Sequence, residues 1–159
     1  MNFLENLKTI KNSNIFKKWN KNNAYLTSCF FIEKQWQFDF YSKKTKTITS
    51  FIIENNKVKI LEKDSKVFQK EVKDLEELSL DKIKVNLEQA IKILNKIKGE
   101  KSPSESIMKT ILILQHDKVP LWNLSYITSA FNILNIKINA INSKIIEQNF
   151  SPIMSFKKH

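Results

Sequence analysis

The chain has 159 residues, 42% hydrophobic and 27% charged, with a formal net charge of +11 carried wholly by lysine and a single cysteine, Cys29. That length suits one compact domain or two small fused ones, able to bury roughly 70% of the unfolded surface without covalent staples. One cysteine excludes an internal disulfide, and no apolar run approaches the roughly 20 residues a membrane-spanning helix requires.

From Asn2 to about Asn20 the pattern is helical. Phe3, Leu7 and Ile10 share a face, and Phe16 and Trp19 continue it after a break at Asn12-Ser13-Asn14. Four strand-like runs follow: Ala24–Ile32, Gln35–Tyr41, Thr47–Ile53 and Lys57–Leu61. In the second run Trp36, Phe38 and Phe40 alternate with Gln35, Gln37 and Asp39; in the third, Ile48 and Ile52 are expected opposite Thr47 and Thr49. Asn55-Asn56 suits a two-residue hairpin turn, because Asn tolerates positive φ.

Residues 65–78 return to helical spacing through Phe68, Val72 and Leu75. A second helix is expected over 87–98. Asn86 with Gln89 forms a capping-box pair at its start, and Gly99, the only glycine, stands where a C-cap belongs. Four more strand-like runs end the chain: Thr110–His116, Leu121–Thr128, Asn132–Ala140 and Lys144–Phe150. The third of these alternates strictly, Leu134, Ile136, Ile138 and Ala140 against Asn135, Lys137 and Asn139, as a strand with one buried and one wet face requires. The tail "SPIMSFKKH" carries no clear pattern.

The order of helix and four strands therefore occurs twice. A shift of 86 residues lays Trp36 on Trp122, Phe38 on Leu124 and Phe40 on Tyr126. The expectation is an α+β protein of two tandem helix-plus-four-stranded antiparallel meander units, with helices packed on one face of the sheet. The division falls at 1–63 and 64–159.

The second half resembles the PepSY domain. "VNLEQAIKIL", Val85 to Leu94, is like the lead-in and helix start of that family, and "LWNLSYI" with "LNIKINAINSKIIE" is like its closing meander. The resemblance implies a small helix-on-sheet module that binds or inhibits, with peptidases as suggested targets and no chemistry of its own.

The residues themselves point the same way. A single glycine leaves no Gly-rich phosphate loop, and CxxC and HExxH are absent. His116-Asp117 has no partner set in the sequence, the other histidine being His159, and reads as a solvated turn; Cys29 reads as a small buried apolar residue. No catalytic, cofactor or metal residue is assigned, and an enzyme is not expected. The candidate binding face is the polar side of the sheet: Gln35, Gln37, Asp39 and Tyr41, with Thr47 and Thr49, in the first half, and Asn123, Ser125, Asn135, Lys137 and Asn139 in the second. Such a face suits a protein or peptide partner. A lysine-rich surface for RNA or DNA is the second reading, although phosphate readers favour arginine. A self-associating scaffold, monomer or homodimer, is the third. The opening "MNFLENLKTIKN" lacks an apolar signal core, which leads to an expectation of cytoplasmic location without membrane contact.

Overall fold

The computed structural model describes residues 2–67 and 73–156. Two compact units divide the chain, Met1–Leu78 and Ser79–His159.

In the first unit, helices α1 (Phe3–Asn12) and α2 (Asn14–Trp19) precede strands β1 (Tyr25–Ile32), β2 (Gln35–Ser42), β3 (Thr47–Glu54) and β4 (Lys57–Lys66). The asparagine-rich break is a capping device. The Ser13 hydroxyl accepts from Phe16 N at 3.2 Å, which ends one helix and starts the next. The helices bury Leu7, Ile10 and Phe16 against the sheet. Phe16 lies 4.8 Å from Phe40 and 5.3 Å from Phe51 between ring centroids, and Trp19 lies 5.1 Å from Phe51. Each such ring removed from water stabilises the fold by roughly 1.5–3 kcal/mol, so this aromatic layer dominates the unit.

In the second unit a 3-10 turn (Leu80–Lys82) leads to helix α3 (Leu87–Lys101). Both halves of the Asn86–Gln89 capping box are formed. Strands β5 (Ile107–Asp117), β6 (Val119–Thr128), β7 (Asn132–Asn139) and β8 (Ile145–Pro152) follow, then the short helix α4 (Ile153–Phe156). Ala90, Leu94 and Ile97 of α3 are buried, as are Leu124, Leu134, Ile136 and Ile138 of the sheet. Two polar tips find partners at this layer: Trp122 Nε1 donates to Val85 O at 2.8 Å, and Tyr126 Oη donates to Asn95 Oδ1 at 2.7 Å.

The structure corrects the expected fold class. The strands do not form two separate helix-plus-four-strand units but one eight-stranded sheet, hydrogen-bonded in the order β4-β3-β2-β1-β5-β6-β7-β8. Every pairing within each unit is antiparallel. The chain is thus mostly sheet, with helices as the lesser part. A four-stranded meander leaves two open edges, and a single sheet satisfies hydrogen-bonding groups that two would expose.

Three local expectations also change. Of the helix expected over 65–78, Phe68 and Val72 lie outside the described residues; residues up to Lys66 belong to β4, and 73–79 are extended coil. Gly99 does not cap α3, which runs on to Lys101 and is capped by Ser102. In β3 the faces are inverted. Phe51 pairs with Phe38 and Thr49 with Phe40, so Thr49 is fully buried on the core side while Ile48 and Ile52 lie opposite Tyr41 and Gln37 on the other face. A bulge at Leu26/Ser28 sets Leu26, opposite Phe40, on the core side with Cys29.

Candidate binding face

The face of each unit away from its helices carries a compact polar cluster, built on the same three positions. In the first unit these are Gln37, one residue after Trp36, Asp39, three after it, and Ser50, which pairs with Asp39 from β3. Ser50 Oγ donates to Asp39 Oδ1 at 2.7 Å, and Gln37 Nε2 donates to the same oxygen at 2.8 Å. In the second unit they are Asn123 and Ser125, at the same distances after Trp122, and Asn135, which pairs with Ser125 from β7. Asn135 Nδ2 donates to Asn123 Oδ1 at 2.7 Å and to Ser125 Oγ at 2.8 Å.

Each cluster is half-buried around a buried centre. Asp39 is 8% exposed and Asn135 7%. Burial raises the Asp39 pKa despite hydrogen bonds from Gln37, Ser50 and Ser28, and the negative charge of Glu62 pushes it the same way. The second cluster holds no charge, so it meets no such penalty.

Around the clusters the units diverge. The row beside Gln37 runs Phe30, Gln37, Ile52, Lys59 across β1 to β4. The matching row in the second unit runs Ile113, Asn123, Lys137, Glu147. Lys137 Nζ and Glu147 Oε2 form an ion pair at 2.8 Å, which holds the Glu147 carboxyl below its ordinary range. Where the second unit has that pair, the first has a pocket of about 260 Å³ lined by Phe30, Ile32, Glu33, Gln35, Gln37, Ile52 and Leu61. Ile32 and Leu61 are exposed at its rim, while Gln35 Nε2 donates to Ile53 O at 3.2 Å.

The other end of the first face is covered. Tyr41 is 1% exposed, and its hydroxyl donates to Asp74 Oδ1 at 2.9 Å. Tyr25 Oη donates to Leu75 O, and Leu78 N donates to Leu26 O at 2.8 Å. Lys46 completes the arrangement by pairing with Asp74. Residues 73–78 therefore form a strap across two tyrosines. Burial, with the Asp74 carboxylate beside it, pushes the Tyr41 hydroxyl up to about 12, and Lys46 and Tyr41 hold Asp74 low.

Of the residues expected on the binding face, Gln35 and Gln37 line the pocket, and Asp39 sits beneath Gln37. Asn123, Ser125 and Asn135 come together as a second cluster, and Lys137 is paired. Three do not belong to an open face. Tyr41 lies under the strap, and Thr49 points to the core. Asn139 is taken up by its turn, accepting from Ile141 N at 2.8 Å and Asn142 N at 3.2 Å. Thr47, near the open end of β3, accompanies Thr49 at Asp64. The sequence reading missed Phe30, Ile52, Leu61 and Ser50. The signal was the paired apolar residues Phe30-Phe31 and Ile52-Ile53, which place large side chains on both faces of a strand. His116 is not in a turn but in β5, opposite Pro120 and half-buried; His159 lies outside the described residues. Among the described residues no group of three metal-ligating side chains converges, and no helix is long and apolar enough to cross a membrane.

No protein-family model matches the chain, and no curated protein matches it. A solved structure does: the crystal structure at 1.85 Å of a "putative lipoprotein" from Clostridium difficile 630. The likeness has a TM-score of 0.59 at 19% identity and covers 87% of this chain and 89% of that one. At that identity it shows a shared fold alone. These findings give no support to a PepSY-like assignment or to the expected cytoplasmic location.

Proposed function

We propose that the first unit is a non-catalytic module that holds an extended segment of a protein partner at the pocket between Gln35, Gln37 and Leu61. The observation that carries this reading is a hollow of mixed lining, with Phe30, Ile32, Ile52 and Leu61 against Glu33, Gln35 and Gln37, on a sheet face whose neighbouring positions are hydrogen-bonded polar groups. Its volume of about 260 Å³ lies below the roughly 300–1,000 Å³ of sites that enclose small ligands, but suits one or two side chains. Both N–H groups of the Gln37 amide are engaged, at Asp39 and Ser50, so Gln37 offers a peptide backbone its carbonyl oxygen; Gln35, which spends one N–H on Ile53 O, offers a donor and an acceptor. Buried Asp39 fixes Gln37 from below.

The net charge does not favour a nucleic-acid surface over this one. Residues 1–78 hold 15 lysines against 10 acids, and 79–159 hold 12 against 6, so the positive excess is divided between the units.

Panning a random peptide display library on the protein tests the proposal. A consensus with one large apolar residue is expected. Its affinity should fall about tenfold or more in the exposed Leu61→Glu variant, a loss of about 1.4 kcal/mol, and stay unchanged in Lys137→Ala. Recovery of no consensus, or equal binding by the Leu61→Glu variant, would overturn it.

A further inference from the structure

The sheet has two outer strands, and the chain treats them differently. β4 carries Lys57, Lys59, Lys63 and Lys66, irregular pairing on either side of Ser50, and a positive φ at Asp64. Charged side chains and bulges are the usual devices that prevent an edge from templating another strand. β8 reads "IIEQNFSP" and has no lysine. Its one charge, Glu147, is matched by Lys137 of its own unit; its pairing with β7 is regular from Glu147 to Pro152, and its single irregularity lies before that, where Ile145 stands opposite Ile138. Seven of its eight residues are exposed, including Ile145 at 45%, Ile146 at 51% and Phe150 at 36%. Among the described residues, nothing pairs with its outer side.

We infer that β8 pairs antiparallel with β8 of a second copy, about a two-fold axis at Gln148. The occupant follows from the strand's own pattern. A two-fold axis normal to the sheet keeps both copies' faces aligned, so only residues of the same parity can stand opposite each other. Centring on Glu147 would set two carboxylates directly opposite, which is unfavourable. Centring on Gln148 sets Ile146 opposite Phe150 twice, pairs the two Gln148 amides, and places Glu147 opposite the neutral Asn149. Phe150 adjoins buried Leu134 and Gln148 adjoins buried Ile136, so the pairing extends an apolar layer already present. Each copy carries +11, so repulsion opposes the dimer and added salt strengthens it. Binding to a polyanion would show the opposite dependence.

Two measurements on the full chain test this. Sedimentation equilibrium should show a monomer–dimer exchange within the range up to about 1 mM that weak edge pairing implies, shifting toward dimer with salt. The Ile146→Lys/Phe150→Lys variant should remain monomeric with unchanged circular dichroism, while Leu61→Lys on β4's side should dimerise as the parent does. In the second, the Gln148→Cys variant should oxidise to a cross-linked dimer; native Cys29 is fully buried and its thiol pKa is raised, so it stays silent. A parent that stays monomeric throughout would overturn the inference. So would a dimer that survives both lysines, or a Gln148→Cys variant that dimerises without cross-linking.

Discussion

The two polar clusters share one blueprint and differ in charge. Gln37, Asp39 and Ser50 occupy the positions that Asn123, Ser125 and Asn135 occupy in the second unit. The second cluster is neutral and closes on itself, flanked by an ion pair between Lys137 and Glu147. The first buries a carboxylate and opens beside it into a hollow of mixed polar and apolar lining. A buried carboxylate costs stability that a neutral amide would not. A fold that manages without one in its second unit retains one in its first, next to the pocket. This contrast is why the proposed binding site is placed on the first face and not on the second.

The tryptophans give the largest handle on this comparison. Both are buried in equivalent strand positions, Trp36 at 2% and Trp122 at 0% exposure. Trp122 satisfies its indole N–H at Val85 O, whereas among the described residues Trp36 Nε1 has no hydrogen-bond partner. Replacing Trp122 by Phe opens a cavity and strands a buried carbonyl, a loss of about 3 kcal/mol; replacing Trp36 removes an unsatisfied donor along with the ring, and should cost only about 1 kcal/mol. Urea unfolding of both variants measures the gap, and equal losses would break the comparison.

Asp39→Asn gives the first cluster the neutrality of the second. Because the folded pKa of Asp39 is raised, its contribution favours the fold at low pH and is lost as pH rises from the ordinary 3.8 through the folded value. The variant should lack that decline and be more stable at neutral pH by about 1 kcal/mol. Stability against pH, measured for parent and variant, decides the matter; a destabilised variant would show that the charge is needed by the fold.

The hairpin turns permit a finer contrast. Asn55-Asn56 takes positive φ at both positions, 51° and 59°, with residues suited to it; Glu33-Lys34, beside the pocket, takes 51° and 66° with residues that are not. Glu33→Asn with Lys34→Gly should stabilise by about 1 kcal/mol, read as a higher thermal midpoint. The smallest expected effect lies in the strap. As pH falls through the depressed pKa of Asp74, its pairing with Lys46 and Tyr41 is lost, and the protection of the Leu78 amide relative to its intrinsic exchange rate should fall while that of β2 core amides does not.

Much of the strand layout was legible because β2, β6 and β7 alternate cleanly: Trp36, Phe38 and Phe40, or Ile136 and Ile138, leave one choice of face. In β3, "TITSFIIE", both alternating sets hold apolar residues, so period alone could not place Thr49 on the helix-covered face and Ile52 on the other; the pairing of Phe51 with Phe38 decides it. The strap was illegible for a related reason. Leu75 and Leu78 fit a helical spacing, but the hydroxyl of Tyr25 and the carbonyl of Leu26 take backbone partners from an extended chain there. Local pattern also could not reveal that the open edges of two meanders would be resolved in one sheet. The pocket depended on the inverted β3 and the doubled Phe30-Phe31, and was hidden with them.

The central claim is that the first unit's hollow is a site and its counterpart in the second unit is filled structure. Titrating isotope-labelled protein with the selected peptide, and following amide shifts, tests this most directly. Shifts confined to Phe30, Gln37, Ile52, Leu61 and their strand neighbours are the predicted result. Shifts centred on Asn123 and Asn135, with the first unit silent, would contradict it.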